Sequence, residues 1–164
     1  LRPDPDAARV AKIVFIMPGV EAQMTIVSWQ WPLVFGVVLV RFLAPGWLIV
    51  LSLWTLGIPI FAVCAPLLLA AYLSTPDQHS QLQLADLFIV LAALTIPDGG
   101  DNSGYQIPLL TLVKGNPEID EENLIGKALV WVGVFSVLGY TVMLVVMWLR
   151  IGEQHGWITT GFTS

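Results

Sequence analysis

Forty-three consecutive residues, Trp31 to Leu73, carry one charge, Arg41. In water such a run would expose more apolar surface than a small core can hide. A bilayer crossing takes roughly 20 apolar residues, so the run is long enough for two crossings. The expectation is an integral, multi-pass membrane protein. Only 12% of the 164 residues are charged, against about 25% in soluble proteins, so polar residues are gathered into loops and ends. No polar stretch reaches the roughly 50 residues of a separate soluble domain. The expected fold class is an all-α bundle of about four transmembrane helices with an interfacial helix before it.

The formal charge of −5 resides largely in the segment after Pro97. No basic stripe exists to neutralise phosphates, which excludes nucleic acid as a partner. Cys64 stands alone in an apolar stretch and reads as a small hydrophobe. An initial Leu1 in place of Met is what a processed chain or a fragment would show, and the polar, proline-rich Leu1 to Asp6 is not a cleavable secretory pattern.

Residues 1–23 form a tail with a short amphipathic helix. Val10, Ile13, Val14 and Met17 recur at helical spacing with Arg9 and Lys12 turned away, and Pro18-Gly19 ends the pattern. Eleven residues cannot cross a bilayer, so this helix is expected in the head-group interface; the alternative is a tail packed on the protein's own surface. Residues 24–149 form one transmembrane domain, with spans expected at about 24–43, 47–73, 84–97 and 124–149 and a polar, acidic loop at 98–123. Residues 150–164 are a C-terminal tail. Trp29 and Trp31 near the first span, Trp47 at the start of the second and Trp148 near the end of the last are interface anchors. The second span is too long for a bilayer and must tilt or kink, with Pro59 and Pro66 as the places to do so. The third apolar segment is short, so 84–113 is either a short full span, the preferred reading, or a re-entrant hairpin. With four spans, Arg2, Arg9, Lys12 and Arg150 face Arg41, Lys114 and Lys127 across the membrane, a weak orientation signal that sets both ends on the cytoplasmic side or its equivalent.

Asp86 is the leading functional candidate, because a carboxylate in an apolar segment is expensive and marks ion or proton paths. The plainer reading makes it a first-turn residue facing water or head groups. Lys127 is the cation that invites pairing with it, although four spans would set the two on opposite sides, and alone it would snorkel to the interface, as would Arg41. Asp98, Asp101 and Asn102 lie among glycines and supply oxygen ligands for a metal, but glycine with Asp and Asn is also ordinary turn chemistry. In the last span Gly126, Gly133 and Tyr140 repeat every seven residues, with Ser136 on the same side. Small residues there let another backbone approach closely, so this is a helix-packing face.

His79 and His155 fall in expected loops, and neither projects into a bundle as a haem ligand must. No nucleophile elbow, zinc-protease motif or phosphate loop is present, so no enzyme and no cofactor is expected; a bound lipid needs only apolar walls. Two function classes follow. The favoured one is an accessory or structural subunit of a larger membrane complex, with membrane lipids and other membrane subunits as partners. The alternative is a small homo-oligomeric channel or transporter with a polar path near Asp86 and the Asp98–Gly104 loop.

Overall fold

The computed structural model describes residues 27–42, 47–55, 57–99, 105–115 and 124–158. The expected interfacial helix, the Trp47 side chain, Asp101, Asn102 and the acidic residues 118–122 lie outside the described residues. The architecture is helical: α1 (Val27–Phe42), α2 (Trp47–Trp54), α3 (Ile58–Leu73), a 3-10 turn (Pro76–Gln78), α4 (His79–Thr95), α5 (Pro108–Lys114) and α6 (Leu124–Gln154). Between α4 and α5, β1 (Asp98–Gly99) and β2 (Tyr105–Gln106) form a two-rung antiparallel ladder.

Side-chain contacts set the helix directions. Gly133 of α6 lies against Ile96 just past the end of α4, Gly139 lies against Phe88, and Gln154 bonds Gln78 just before α4. Higher numbers on α6 therefore meet lower numbers on α4, and the two helices are antiparallel. Gln30 and Arg41 of α1 reach Asp86 and Ile96, 56 and 55 residues further on, so α1 runs parallel to α4. Tyr140 and Gln154 of α6 reach Val63 and Thr75, 77 and 79 residues back, so α3 runs parallel to α6.

The core is built from small residues where helices meet. Leu67, Ala70 and Ala71 of α3, Leu82, Ala85, Ile89 and Ala93 of α4, and Tyr140, Met147 and Ile151 of α6 are buried together. Their spacing of three and four residues marks one face of each helix. On α6, Gly126, Gly133, Ser136 and Tyr140 are all buried, and the seven-residue repeat continues to Met147. A Cβ on Gly133 would come within 2.8 Å of Ile96 Cγ1 and 3.1 Å of its backbone nitrogen, so only glycine permits that approach.

The expected second span is broken. α2 stops at Trp54 and α3 starts at Ile58, with Gly57 at φ 85° between them. That left-handed conformation suits glycine and is costly for other residues. Pro59 sits in the first turn of α3, where its missing N–H is harmless, and Pro66 lies inside the helix. The hinge is thus at Gly57, ahead of the prolines. α4 also begins five residues before the expected 84, because the 3-10 turn at Pro76–Gln78 leads straight into it.

Among the described residues one helix, α6, is long and apolar enough to cross a bilayer alone: 31 residues, with a mean hydropathy of 2.3 in its most apolar window. Only 17% of that window is buried, so α6 is not the enclosed core helix of a globular protein. α1 and α3 are apolar but shorter. Large apolar side chains also cover the outside, including Trp29, Phe35, Trp54, Phe61 and Trp131.

Candidate functional site

Among the described residues, polar side chains join other segments to α4 or its two ends at three places. At its C-terminal end, one terminal nitrogen of Arg41 donates to the Ile96 carbonyl at 2.8 Å, with a longer contact of 3.5 Å to the Ala93 carbonyl. Its other terminal nitrogen donates to Asp98 Oδ2 at 3.2 Å. The last carbonyls of a helix have no partner within it, and a guanidinium presents several donors in one plane. Arg41 therefore caps α4 and pairs with Asp98 at once. The side chains of Arg41 and Asp98 are 12% and 6% exposed, so this is an enclosed ion pair and not the surface snorkel that the sequence suggests for Arg41.

Further down the same seam, Gln30 Nε2 donates to Asp86 Oδ2 at 2.7 Å. Asp86 lies two turns inside α4, because the helix starts at His79, so it is neither a cap nor a first-turn residue. Gln30 is buried at 2% exposure. Its Oε1 and Asp86 Oδ1 are both buried without a hydrogen-bond partner. An amide and an ionised carboxylate satisfy each other on one side only, since the second pairing sets two acceptors together.

At the N-terminal end of α4, Gln78 Nε2 donates to Gln154 Oε1 at 3.2 Å, and Gln154 Nε2 donates to Thr75 Oγ1 at 3.1 Å. The fully buried Gln78 thus fastens the turn before α4 to the end of α6. Four hydroxyls elsewhere serve their own helices, while the buried Ser52 hydroxyl of α2 has no partner. Thr55, Thr95, Ser136 and Thr141 each donate to the carbonyl four residues back, a local habit of Ser and Thr in helices. The Tyr140 hydroxyl crosses from α6 to the Val63 carbonyl. That carbonyl neighbours the one on Ala62, for which Pro66 supplies no helical donor.

Asp86 and Lys127 are not brought together. The Gly133–Ile96 and Gly139–Phe88 contacts set Asp86 level with residues 141–143 of α6. Lys127 is then on the order of 20 Å away along the helix axis at 1.5 Å per residue, and it is exposed. Asp98 stands on β1 as the partner of Arg41, while its companions in the metal reading, Asp101 and Asn102, are outside the described residues. No group of three or more His, Cys, Asp or Glu that could hold a metal is found among the described residues. Trp29 and Trp31 are exposed at 70% and 64%, and Trp148 is partly buried against the core.

Between α1, α3, α4 and α6 lies an apolar groove of about 410 Å³, walled by Val37, Arg41, Pro59, Ile89, Tyr140 and Leu144 among others. Its size is that of a small-molecule site. Sequence reasoning missed Gln30, Gln78 and Gln154 altogether. For Gln30 the available signal was one amide flanked by tryptophans in an apolar run.

No protein-family model, curated protein sequence or solved structure matches this chain.

Proposed function

We propose that the chain is a multi-pass membrane protein of about four spans that serves as an accessory or structural subunit of a larger membrane complex. The spans are α1, the hinged α2–α3 pair, the 3-10 turn with α4, and α6. Their alternating directions suit an up-and-down bundle. The turn and α4 together cover residues 76–95, which at helical rise comes to about 30 Å, a bilayer core. The observation that carries the subunit reading is where the interior polar groups go. Arg41, Asp98, Gln30, Gln78, Gln154 and the Tyr140 hydroxyl bind one segment to another, and the hydroxyls of Thr95 and Ser136 bond to their own helices. Side chains so engaged hold a shape, as a structural subunit requires.

The first test is the mass and composition of the native particle after gentle solubilisation. This reading expects a large hetero-assembly; a small homo-oligomer would overturn it. The span count has its own test in a Cys64→Ala background. Single cysteines at Asp77 and Asn116 should be labelled from opposite sides of the membrane, and labelling from one side only would replace the third span by a re-entrant hairpin.

A second reading, a small homo-oligomeric channel or transporter, is favoured by the unpaired acceptors on Gln30 and Asp86. A cation or proton between them would satisfy both oxygens. It requires ion flux through reconstituted vesicles that Asp86→Asn reduces, and unchanged flux would remove Asp86 from any path.

A further inference from the structure

Gln30 and Asp86 meet through one hydrogen bond, from Gln30 Nε2 to Asp86 Oδ2. Their other two polar atoms, Gln30 Oε1 and Asp86 Oδ1, are enclosed and have no hydrogen-bond partner. Each shares a carbon with an atom of the bond that is made, so a turn about that bond sets one against the other. Two acceptors cannot bond, and reversing the amide only sets Oε1 against the other carboxylate oxygen. What the pair lacks is a donor.

Among the described residues nothing packed around the pair supplies one. Tyr140 of α6 gives its hydroxyl hydrogen to Val63, and Thr141, level with Asp86 on the same helix, gives its own to Val137. Cys64 of α3 stands by Tyr140, and its thiol reaches neither oxygen. On α4 itself His79 precedes Asp86 by seven residues on the same face, about 10 Å along the axis. Arg41 is engaged by Ile96 and Asp98 at the far end of the seam. The missing donor is not a metal ion either, because the two oxygens are sealed and leave an ion's radius no access. A hydrogen bound to one of them needs no added space.

We propose that Gln30 and Asp86 form a proton site: the Asp86 carboxylate takes one proton from water on Oδ1, loses its charge, and donates the new O–H to Gln30 Oε1. Acid and amide then hold each other by two hydrogen bonds in place of one, so proton uptake tightens α1 against α4. Gln30 stands in the first turn of α1 and Asp86 two turns into α4. The two helices run parallel, so the pair lies toward one end of the bundle, and the proton comes from that side. The proposal rests on the same two oxygens as the channel reading but not on transport, and a structural subunit carries such a site equally well.

The test is infrared spectroscopy of the purified protein in lipid nanodiscs, titrated from about pH 9 down to about pH 4, a range that spans carboxyl and histidine titration. A protonated carboxyl shows a C=O stretch above the amide and carboxylate bands. One such band should grow in as the pH falls and be missing in Asp86→Asn. It should shift when aspartate carries ¹³C at its side-chain carboxyl, a readout that needs no variant. Gln30→Leu should move it to higher frequency, because the Asp86 carbonyl then loses its hydrogen bond. Thermal unfolding reads the tightening. Asp86→Asn has the second donor at every pH, so its Tm should lead the native protein's by about 2–4 °C at the alkaline end, the shift that one hydrogen bond gives a chain of this size. The lead should close as the pH falls and native Asp86 gains its proton; His79 is common to both proteins and cancels. No Asp86 band at any pH would overturn the proton site. A band that Gln30→Leu leaves unmoved would overturn the pairing, and a lead constant with pH would overturn the tightening. Dependence of the band on Na⁺ or K⁺ at fixed pH would give the oxygens to a metal cation. Flux through vesicles is read apart: no flux with the band present removes the channel and leaves the proton site standing.

Discussion

Two polar couplings fasten α1 to α4, and they are finished to different degrees. At the Arg41 end a cation meets a carboxylate and the last carbonyls of a helix, so the charges balance and only the buried Arg41 Nε–H is left over. About 15 Å away along the helices at 1.5 Å per residue, Gln30 and Asp86 share one hydrogen bond and leave two buried acceptors unpaired. The difference shows how this helical bundle divides its few polar residues. A matched pair fixes position, while a mismatched one either costs stability or waits for something to complete it.

The largest expected effect falls on the matched end. Arg41→Ala leaves the enclosed Asp98 carboxylate without its cation and the end of α4 without its cap. Breaking one partner of a buried pair costs about 3–5 kcal/mol. Unfolding in mixed detergent micelles should report a loss of that size. Arg41→Lys keeps the charge but not the planar fork, and its loss should be intermediate. If Arg41→Ala were neutral, the two ends of the seam would be equivalent and the contrast would fail.

The α4–α6 seam offers the same kind of contrast without charges, between Gly133 and Gly139. A Cβ on Gly133 would press on Ile96, including its backbone nitrogen at 3.1 Å, whereas a Cβ on Gly139 would meet only the ring atoms of Phe88. Backbone cannot yield as a half-buried ring can. Gly133→Ala should therefore cost about 1–3 kcal/mol, the usual range for overpacking. In Gly139→Ala the gain in helix propensity, close to 1 kcal/mol, offsets the movement of the ring. Thermal unfolding of the two variants side by side checks this, and equal losses would mean that the close approach is not confined to Gly133.

What the sequence could disclose follows the range over which each signal acts. The α6 face of Gly126, Gly133, Ser136 and Tyr140 is a local pattern, written in small residues at seven-residue spacing, and all four are buried. The hinge at Gly57 was hidden because hydropathy does not fall there: Trp54, Leu56 and Ile58 keep the run apolar. The nearby prolines drew attention instead, yet Pro59 lies in the first turn of α3, where it disturbs nothing. The partners of Arg41 and Asp86 lie more than 50 residues away along the chain. No periodicity carries a pairing of that kind, so Arg41 read as a snorkel and Asp98 as part of a glycine turn.

The smallest expected effect, and the most telling for the comparison, is that of Asp86→Asn. In the native pair Gln30 already donates to one Asp86 oxygen, and the remaining two atoms are both acceptors. Asparagine keeps an oxygen for the Gln30 donor and puts an NH₂ where the unpaired carboxylate oxygen stands, so the amide can donate back to Gln30 Oε1. The substitution also removes a charge from an apolar segment, where a carboxylate is costly. Stability should therefore stay within about 1 kcal/mol of the native protein or rise, the net worth of one ordinary hydrogen bond. Asp98→Asn, the same change at the matched end, should destabilise because it strips Arg41 of its counter-charge. Measured together, the two substitutions separate a carboxylate that holds the fold from one the fold merely tolerates. A loss at Asp86 as large as that at Asp98 would show that the ionised carboxylate is as much a part of the seam as the ion pair. A gain at Asp86, joined to a fall in ion flux, would show stability given up for transport and would favour the channel over the subunit.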